Sequence, residues 1–335
     1  MTSWLTSADP GPDDPAREGA RRIVTINAAI RSDETALILT DLLRPATVAN
    51  VLAQAVADAG GIPLVLTIPP FPSGAEPPAA VAAAMGAADV ILSPLSGAIY
   101  HTVACKAAVA SGARFLALTM FGLDNLRSGG VYGDFPALAP RAERLAALMS
   151  AASEAHVVAP GGTDLRLRLD GRVAVPITGM ARHPGEATGC PDIEAFIAPL
   201  ETSAEGVIVA DRSASITGVL HAPLRIVVRG GQAVVIDGPA APAIVAALDA
   251  AAHPHARTLA ELAFGLNPAG IIRGVIVEDE GVARTGHIAL GSNRFFGGTS
   301  AAPIHLDFVY DRPTLRLDGV LVIDDGELVG PMAGC

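Results

Sequence analysis

With 335 residues, half of them hydrophobic and only 4% aromatic, the chain has the makeup of one large or two ordinary packed domains, and a disordered chain is excluded. Its net charge of −11 comes without a basic run or an aromatic-and-arginine stripe, which excludes a nucleic-acid backbone as partner. Mean hydropathy is +0.44, yet Pro, Gly, Asp or Arg interrupts every apolar run short of the ~18 residues a membrane helix needs. The apolar residues therefore imply a buried core and no membrane partner.

Residues 1 to about 22, rich in Pro, Asp and Gly and holding Trp4, read as a flexible tail. An α/β domain is expected over 23–160, where short apolar runs alternate with Ala-rich helical stretches. Ala36–Thr40 reads as a strand, Pro45–Ala59 as a helix started by Pro and stopped by Gly60-Gly61, and Ile62–Thr67 as a second strand. A proline-rich loop, 69–78, leads to a helix at Ala79–Ala87 and a strand at Asp89–Leu92. Tyr100–Ser111 reads as a helix, Arg114–Thr119 as a strand, and Leu138–Ala155 as a helix leading into the strand at His156–Val158. That alternation predicts a mostly parallel sheet covered on both faces. No Gly-rich spot has nucleotide-loop spacing, so this domain reads as scaffold.

The pattern changes near Gly161. Asp164–Leu169, Asp170-Gly171 and Arg172–Val175 read as a hairpin. Gly206–Ala210, Leu224–Val228 and Gln232–Ile236 read as strands, Pro239–Ala252 as a helix, and the rest from Ile271 as strand-rich. Residues 161–335 are thus expected to form a separate α+β domain. Cys105, Cys190 and Cys335 are widely spaced with no CxxC pair, and the N-terminus lacks an apolar leader. Both features predict reduced thiols in a cytoplasmic protein.

The clearest chemical signal is Pro303-Ile304-His305-Leu306-Asp307-Phe308. In a strand, His305 and Asp307 share one face while Ile304, Leu306 and Phe308 fill the other. A stiff strand presenting His beside a carboxylate suits a divalent metal; the polar side of an edge strand is the alternative. His287, in Gly286-His287-Ile288-Ala289-Leu290-Gly291, is either a ligand or a hydrogen-bonded core histidine. Glu261 opens an apolar run, where burial needs a neutralising partner such as a metal; the alternative is a helix-face glutamate. Glu194, in Asp192-Ile193-Glu194-Ala195-Phe196, carries little weight alone.

Glu261-Leu262-Ala263-Phe264-Gly265-Leu266-Asn267-Pro268, then 279–291 with Asp279-Glu280 and Gly286-His287, then Gly297-Gly298 to Asp307 resemble, in this order, the metalloaminopeptidase family of aminopeptidase T, aminopeptidase S and leucyl aminopeptidases. Ile193–Gly206 and Gly162–Leu165 also resemble family segments. The resemblance implies that Glu194, Glu261, His287, His305 and Asp307 ligate one or two divalent cations, zinc, manganese or cobalt. Glu280 falls in the family's Asp-Glu pair and would move a proton. The family has a tyrosine where this chain has Arg294, a candidate substrate clamp, and a lysine where it has Gly281. The chain also resembles the 2,5-dihydroxypyridine 5,6-dioxygenases, which hold one iron(II) with two histidines and an aspartate. There His305 and Asp307 would serve, but Glu261 stands nearest the place of the remaining histidine.

The resulting expectation is a metal-dependent hydrolase of amide-type bonds acting on a short peptide or small-molecule amide, with the dioxygenase second and a non-catalytic binding protein third. By resemblance the chain is expected to form a homo-oligomer.

Overall fold

The computed structural model describes residues 10–334. Trp4, Cys335 and the first nine residues of the expected tail lie outside the described residues. Of the remaining tail, Pro15–Arg22 is a helix, α1. Asp14 caps it by accepting from the Ala16 amide, and Pro15 follows the cap. The Pro and Asp that read as flexible are thus a helix start.

Further along, α2 (Ala46–Asp58) follows β1 (Thr35–Asp41), and β2 (Ile62–Ile68), α3 (Ala79–Gly86), β3 (Val90–Ser93), α4 (Val103–Ala110), β4 (Arg114–Ala117) and α5 (Leu123–Arg127) come next. Next are α6 (Phe135–Ala151), β5 (Glu154–Val158), β6 (Asp164–Arg168), β7 (Val175–Ile177), β8 (Ala187–Gly189) and β9 (Glu194–Ile197). The remainder contains β10 (Glu205–Ala210), β11 (Ser213–Ala214), β12 (Gly218–Val219), β13 (Leu224–Arg229), β14 (Gln232–Asp237), α7 (Ala241–Ala250) and β15 (Leu259–Gly265). The chain finishes through α8 (Ile276–Asp279), β16 (Thr285–Gly291), β17 (His305–Asp311), β18 (Thr314–Leu317), β19 (Val320–Asp324) and β20 (Glu327–Leu328).

Two units emerge. The first runs to Phe135 and takes in Gly179–Pro191; the second holds Pro136–Thr178 and everything from Asp192. The first is built on a parallel sheet ordered β2-β1-β3-β4-β8. Its core includes Leu37, Leu39, Ile91 and Phe115, packed against Met85 and Cys105 of the helices. Glycine at position 19 is required, because a Cβ there would stand 2.0 Å from the Leu126 carbonyl oxygen of α5.

The second unit has two sheets, β14-β13-β10-β6-β5-β18-β19-β20 and β12-β11-β17-β16-β15-β9-β7. The expected hairpin of residues 164–175 does not form. Instead β6 pairs with β5 and β10, and β7 pairs with β9 in the other sheet. Ala155 and Val157 alternate inward as Leu165 and Leu167 do, so those two runs make the better-matched pair. Helix α6 stops at Ala151, short of the expected Ala155, because the Asp318 carboxylate takes the Ser153 and Glu154 amides. Cys105 and Cys190 are buried and not in disulfides. Among the described residues no helix is long and apolar enough to cross a membrane.

Candidate metal centre

The residues proposed as donors lie on four neighbouring strands of the second unit's β12–β7 sheet, ordered β17-β16-β15-β9. Directly paired residues project from the same face of an antiparallel sheet. His305 pairs with Gly291, Asp307 with Ala289, Val309 with His287, His287 with Ala263, Ala289 with Glu261, and Gly265 with Glu194. Glu194, Glu261, His287, His305 and Asp307 therefore share one face. Ala263, Gly265, Ala289 and Gly291 stand between them and leave room above the sheet, with Phe196 and Val309 at the margins of that face.

Glu261 reaches this face by regular alternation with Ala263 and Gly265, just after a local irregularity. Leu259 pairs with Leu290, yet Glu261 pairs with Ala289, so the register shifts by one residue at Ala260. The bulge turns Leu259 to the apolar face, while Glu261 keeps the face of Ala263 and Gly265. The segment is a fully buried strand, which removes the helix-face alternative for Glu261.

The side chains converge. His287 Nε2 lies 3.2 Å from Glu261 Oε1 and 3.4 Å from Glu194 Oε2. His305 Nε2 lies 3.5 Å from Glu261 Oε2 and 3.0 Å from Asp307 Oδ1. Three sets offer donor atoms within 4.8 Å of one another: Glu194, Glu261 and His287; Glu261, His305 and Asp307; Glu280, His287 and Asp307. Each contains one histidine. Glu261 joins the first two sets, with one oxygen toward each histidine.

The donor set fits a cation. Glu194 Oε2, which faces His287 Nε2, and the nearby Asp192 Oδ1 are buried without a hydrogen-bond partner, a costly state unless something satisfies them. The Ser292 carbonyl, 2.8 Å from His305 Nδ1, can only accept, so Nδ1 carries a proton there and Nε2 is the ring atom turned to the carboxylates. Ser215 Oγ donates to Asp307 Oδ2 at 3.1 Å and accepts from the Asp307 amide at 2.9 Å.

Electrostatics agree. Burial, reinforced by neighbouring carboxylates, pushes Glu194 and Glu280 well above the ordinary carboxyl range. Burial also raises Asp192, as do Glu261 and Asp307, against a hydrogen bond with Glu194. Burial opposes ionisation of Asp307, but His305 and His287 outweigh it and hold that carboxyl well below its usual value. For His305 burial works downward, yet Asp307 and Glu261 raise it to about 10. Carboxyls that resist ionisation together, beside an imidazole that attracts positive charge, are what a cation site presents when only protons can balance it.

Glu280 follows α8 and joins the cluster beside His287 and Asp307. Its helix is held by Asp279, which accepts from the Arg273 and Gly274 amides, each at 2.9 Å, and by the Arg273–Glu278 pair at 3.2 Å. Arg294 is not brought into the cluster; its exposed guanidinium lies over the Phe295 ring, 5.2 Å from the centroid. The same loop sends Phe296 edge-on against His305 at 6.0 Å and Phe196 at 5.1 Å.

Sequence reasoning missed Asp192, although Asp192-Ile193-Glu194 repeats the i, i+2 spacing of His305-Leu306-Asp307. Gly281, the departure from the family's lysine, also finds its reason here. A Cβ at that position would stand 2.5 Å from Asp192 Oδ1 and 2.7 Å from the Ile193 nitrogen, so the buried carboxylate excludes any side chain.

A search of curated proteins finds no match. Among solved structures, the 2,5-dihydroxypyridine dioxygenase from Pseudomonas putida KT2440 superposes with a TM-score of 0.79 at 17% identity, covering 96% of this chain and 99% of that one. Wild-type AmpT from Thermus thermophilus superposes with a TM-score of 0.70, also at 17% identity, covering 94% and 99%. The fold is thus shared with both of the groups that the motifs resemble. Residues 22–330 match the family described as NicX, 2,5-dihydroxypyridine 5,6-dioxygenase, and on that match the chain belongs to this family of metal-dependent enzymes.

Proposed function

We propose that the chain is a metal-dependent hydrolase of amide-type bonds, with Glu194, Glu261, His287, His305 and Asp307 holding two divalent cations that share Glu261. The observation that carries this reading is the grouping of donors. The two histidines fall in different sets, and Glu261 turns one oxygen toward each. A mononuclear site of two histidines and one carboxylate needs both imidazoles in one set, and no set among the described residues has both.

When bound, such a pair of cations supplies a water acidic enough to serve as nucleophile near neutral pH and a Lewis acid for a carbonyl. The chain's own residues do the rest. Ser292 fixes the His305 tautomer, and Ser215 fixes the Asp307 carboxylate. Glu280, beside His287 and Asp307 and inclined by burial to keep its proton, is suited to carry one from water to a leaving nitrogen. Phe296, backed by Phe196, packs edge-on against His305. A short peptide or a small cyclic or heteroaromatic amide is the proposed substrate, with Arg294 a clamp only if its loop moves inward.

The family match favours a second reading, in which one iron(II) supports oxygen-dependent opening of a dihydroxypyridine ring. Assays of the purified protein under air and under nitrogen separate the two. Cleavage of an amide panel at equal rates in both atmospheres is expected. Oxygen uptake with 2,5-dihydroxypyridine, and no amide cleavage, would overturn the hydrolase.

A further inference from the structure

The second unit holds a cleft whose lining includes none of the proposed metal donors. Its volume is about 420 Å³, and it is lined by Arg141 of α6 and by residues from 265 to 334. Leu266, Pro268, Ile323 and Met332 give it an apolar wall, and Arg141, Arg284 and Glu327 are its charged residues. Two guanidiniums against one carboxylate leave the lining positive in a chain whose net charge is −11. A concave site with an apolar wall and a few charged groups is the usual setting for a small molecule.

The two arginines are not equivalent. Arg284 is engaged: its Nε lies 3.2 Å from Glu327 Oε1, and its carbonyl accepts from the Arg312 amide at 2.9 Å. It stands at φ +69°, in the left-handed region, a strain that recurs at ligand clamps. On α6, Arg144 donates its Nε to the Pro331 carbonyl at 2.7 Å. Arg141, a neighbour on that helix surface at i−3, has no such acceptor. Its Nε is buried and has no hydrogen-bond partner among the described residues. A buried cationic N–H without an acceptor is costly, and the cleft that Arg141 lines is where an acceptor can enter.

One unengaged guanidinium calls for one negative charge, in the planar geometry that a carboxylate meets with two parallel hydrogen bonds. A phosphate monoester brings closer to two charges at neutral pH, more than this lining balances. The apolar wall calls for an apolar body behind the head group.

We propose that this cleft binds a small organic monocarboxylate, its head group on Arg141 and its body along Leu266, Pro268, Ile323 and Met332, as a site distinct from the metal centre. The 280–285 segment belongs to both sites, since Glu280 is in a donor set while Ala283 and Arg284 line the cleft. A bound acid therefore braces the segment that carries Glu280. The proposal is independent of which reaction the metal centre performs.

Isothermal titration calorimetry with hexanoate, on protein purified without chelator, tests it. Hexylammonium is the control, a body of the same length with the opposite charge. Saturable binding of one hexanoate per chain is expected, with none of hexylammonium. Arg141→Met keeps most of the side-chain length and removes the charge, whereas Ala283→Leu keeps both arginines and narrows the cleft. Each should weaken hexanoate by roughly tenfold or more, in variants shown to be folded and of unchanged metal content. A wild type without saturable hexanoate binding would overturn the proposal. So would equal binding of hexylammonium, or a hexanoate affinity undiminished in either variant that folds, since that puts the acid elsewhere, the metal ions included.

Discussion

Single side chains at the metal centre have separable duties. Asp192 is buried two residues before Glu194 and lies outside the three donor sets, so in the proposed site it would orient a ligand without being one. Outer partners of metal ligands typically contribute 10–100-fold to affinity. Asp192→Asn should therefore weaken metal binding by about that factor without unfolding the protein, as measured by competition with a chelating dye. Gly281→Ala is expected to be worse for stability. Its Cβ would enter the space of the Asp192 carboxylate, and overpacking of a tight site costs about 1–3 kcal/mol, readable as a lower urea midpoint. Unchanged stability in this variant would mean that the 280–282 backbone is freer than its contacts imply.

At the scale of elements, one carboxylate gathers three donors around the loop between β16 and β17. Glu201 accepts from the Thr299 amide at 2.6 Å, Asn293 Nδ2 at 3.2 Å and Arg172 at 2.5 Å. Burial alone would raise the Glu201 carboxyl, but these donors outweigh it and hold it below its ordinary value. A depressed folded value means that this stability is present above the unfolded carboxyl range and is lost as pH falls through the folded value. Glu201→Gln should lower stability by about 1–3 kcal/mol at neutral pH. The deficit should shrink in acid, as followed by chemical denaturation across pH.

Much of this level was legible in the sequence. Strands β1 to β4, the β13–β14 hairpin and the shared face of His305 and Asp307 follow from apolar periodicity and turn residues. Glu261 was left between strand and helix, because its regular alternation with Leu262 and Phe264 starts only after the bulge, and a bulge has no signature in Leu259-Ala260-Glu261 alone. The 164–175 hairpin failed for a related reason: Asp170-Gly171 makes a turn, with Gly171 at φ +68°, but the strands on either side of it belong to different sheets. The start of α1 was hidden because Asp-Pro serves equally as a loop and as a helix beginning.

For the whole molecule, the buried cluster of Asp192, Glu194, Glu261, Glu280 and Asp307 links stability to metal and pH. The raised values of Asp192, Glu194 and Glu280 mean that the metal-free native state binds more protons than the unfolded chain above the ordinary carboxyl range. Its stability should therefore fall as pH rises from that range toward the raised values. Cations that bind only the native state restore it, by about 2.7 kcal/mol at a hundred times the dissociation constant. Scanning calorimetry of chelator-treated protein should show a melting temperature that drops between acid and neutral pH and recovers on adding zinc or manganese. A flat profile with no response to metal would place the carboxyls outside any cation site.

The central claim is that donors from four strands hold two cations sharing Glu261. Elemental analysis of protein purified without added metal or chelator addresses it most directly, alongside Glu261→Ala and His305→Ala variants shown to be folded. Close to two divalent equivalents per chain are predicted for the wild type, with loss of both in Glu261→Ala and retention of at most one in His305→Ala. A single equivalent of iron in the wild type, retained when Glu261 is replaced, would contradict the shared-carboxylate site and leave the ring-cleaving reading in its place.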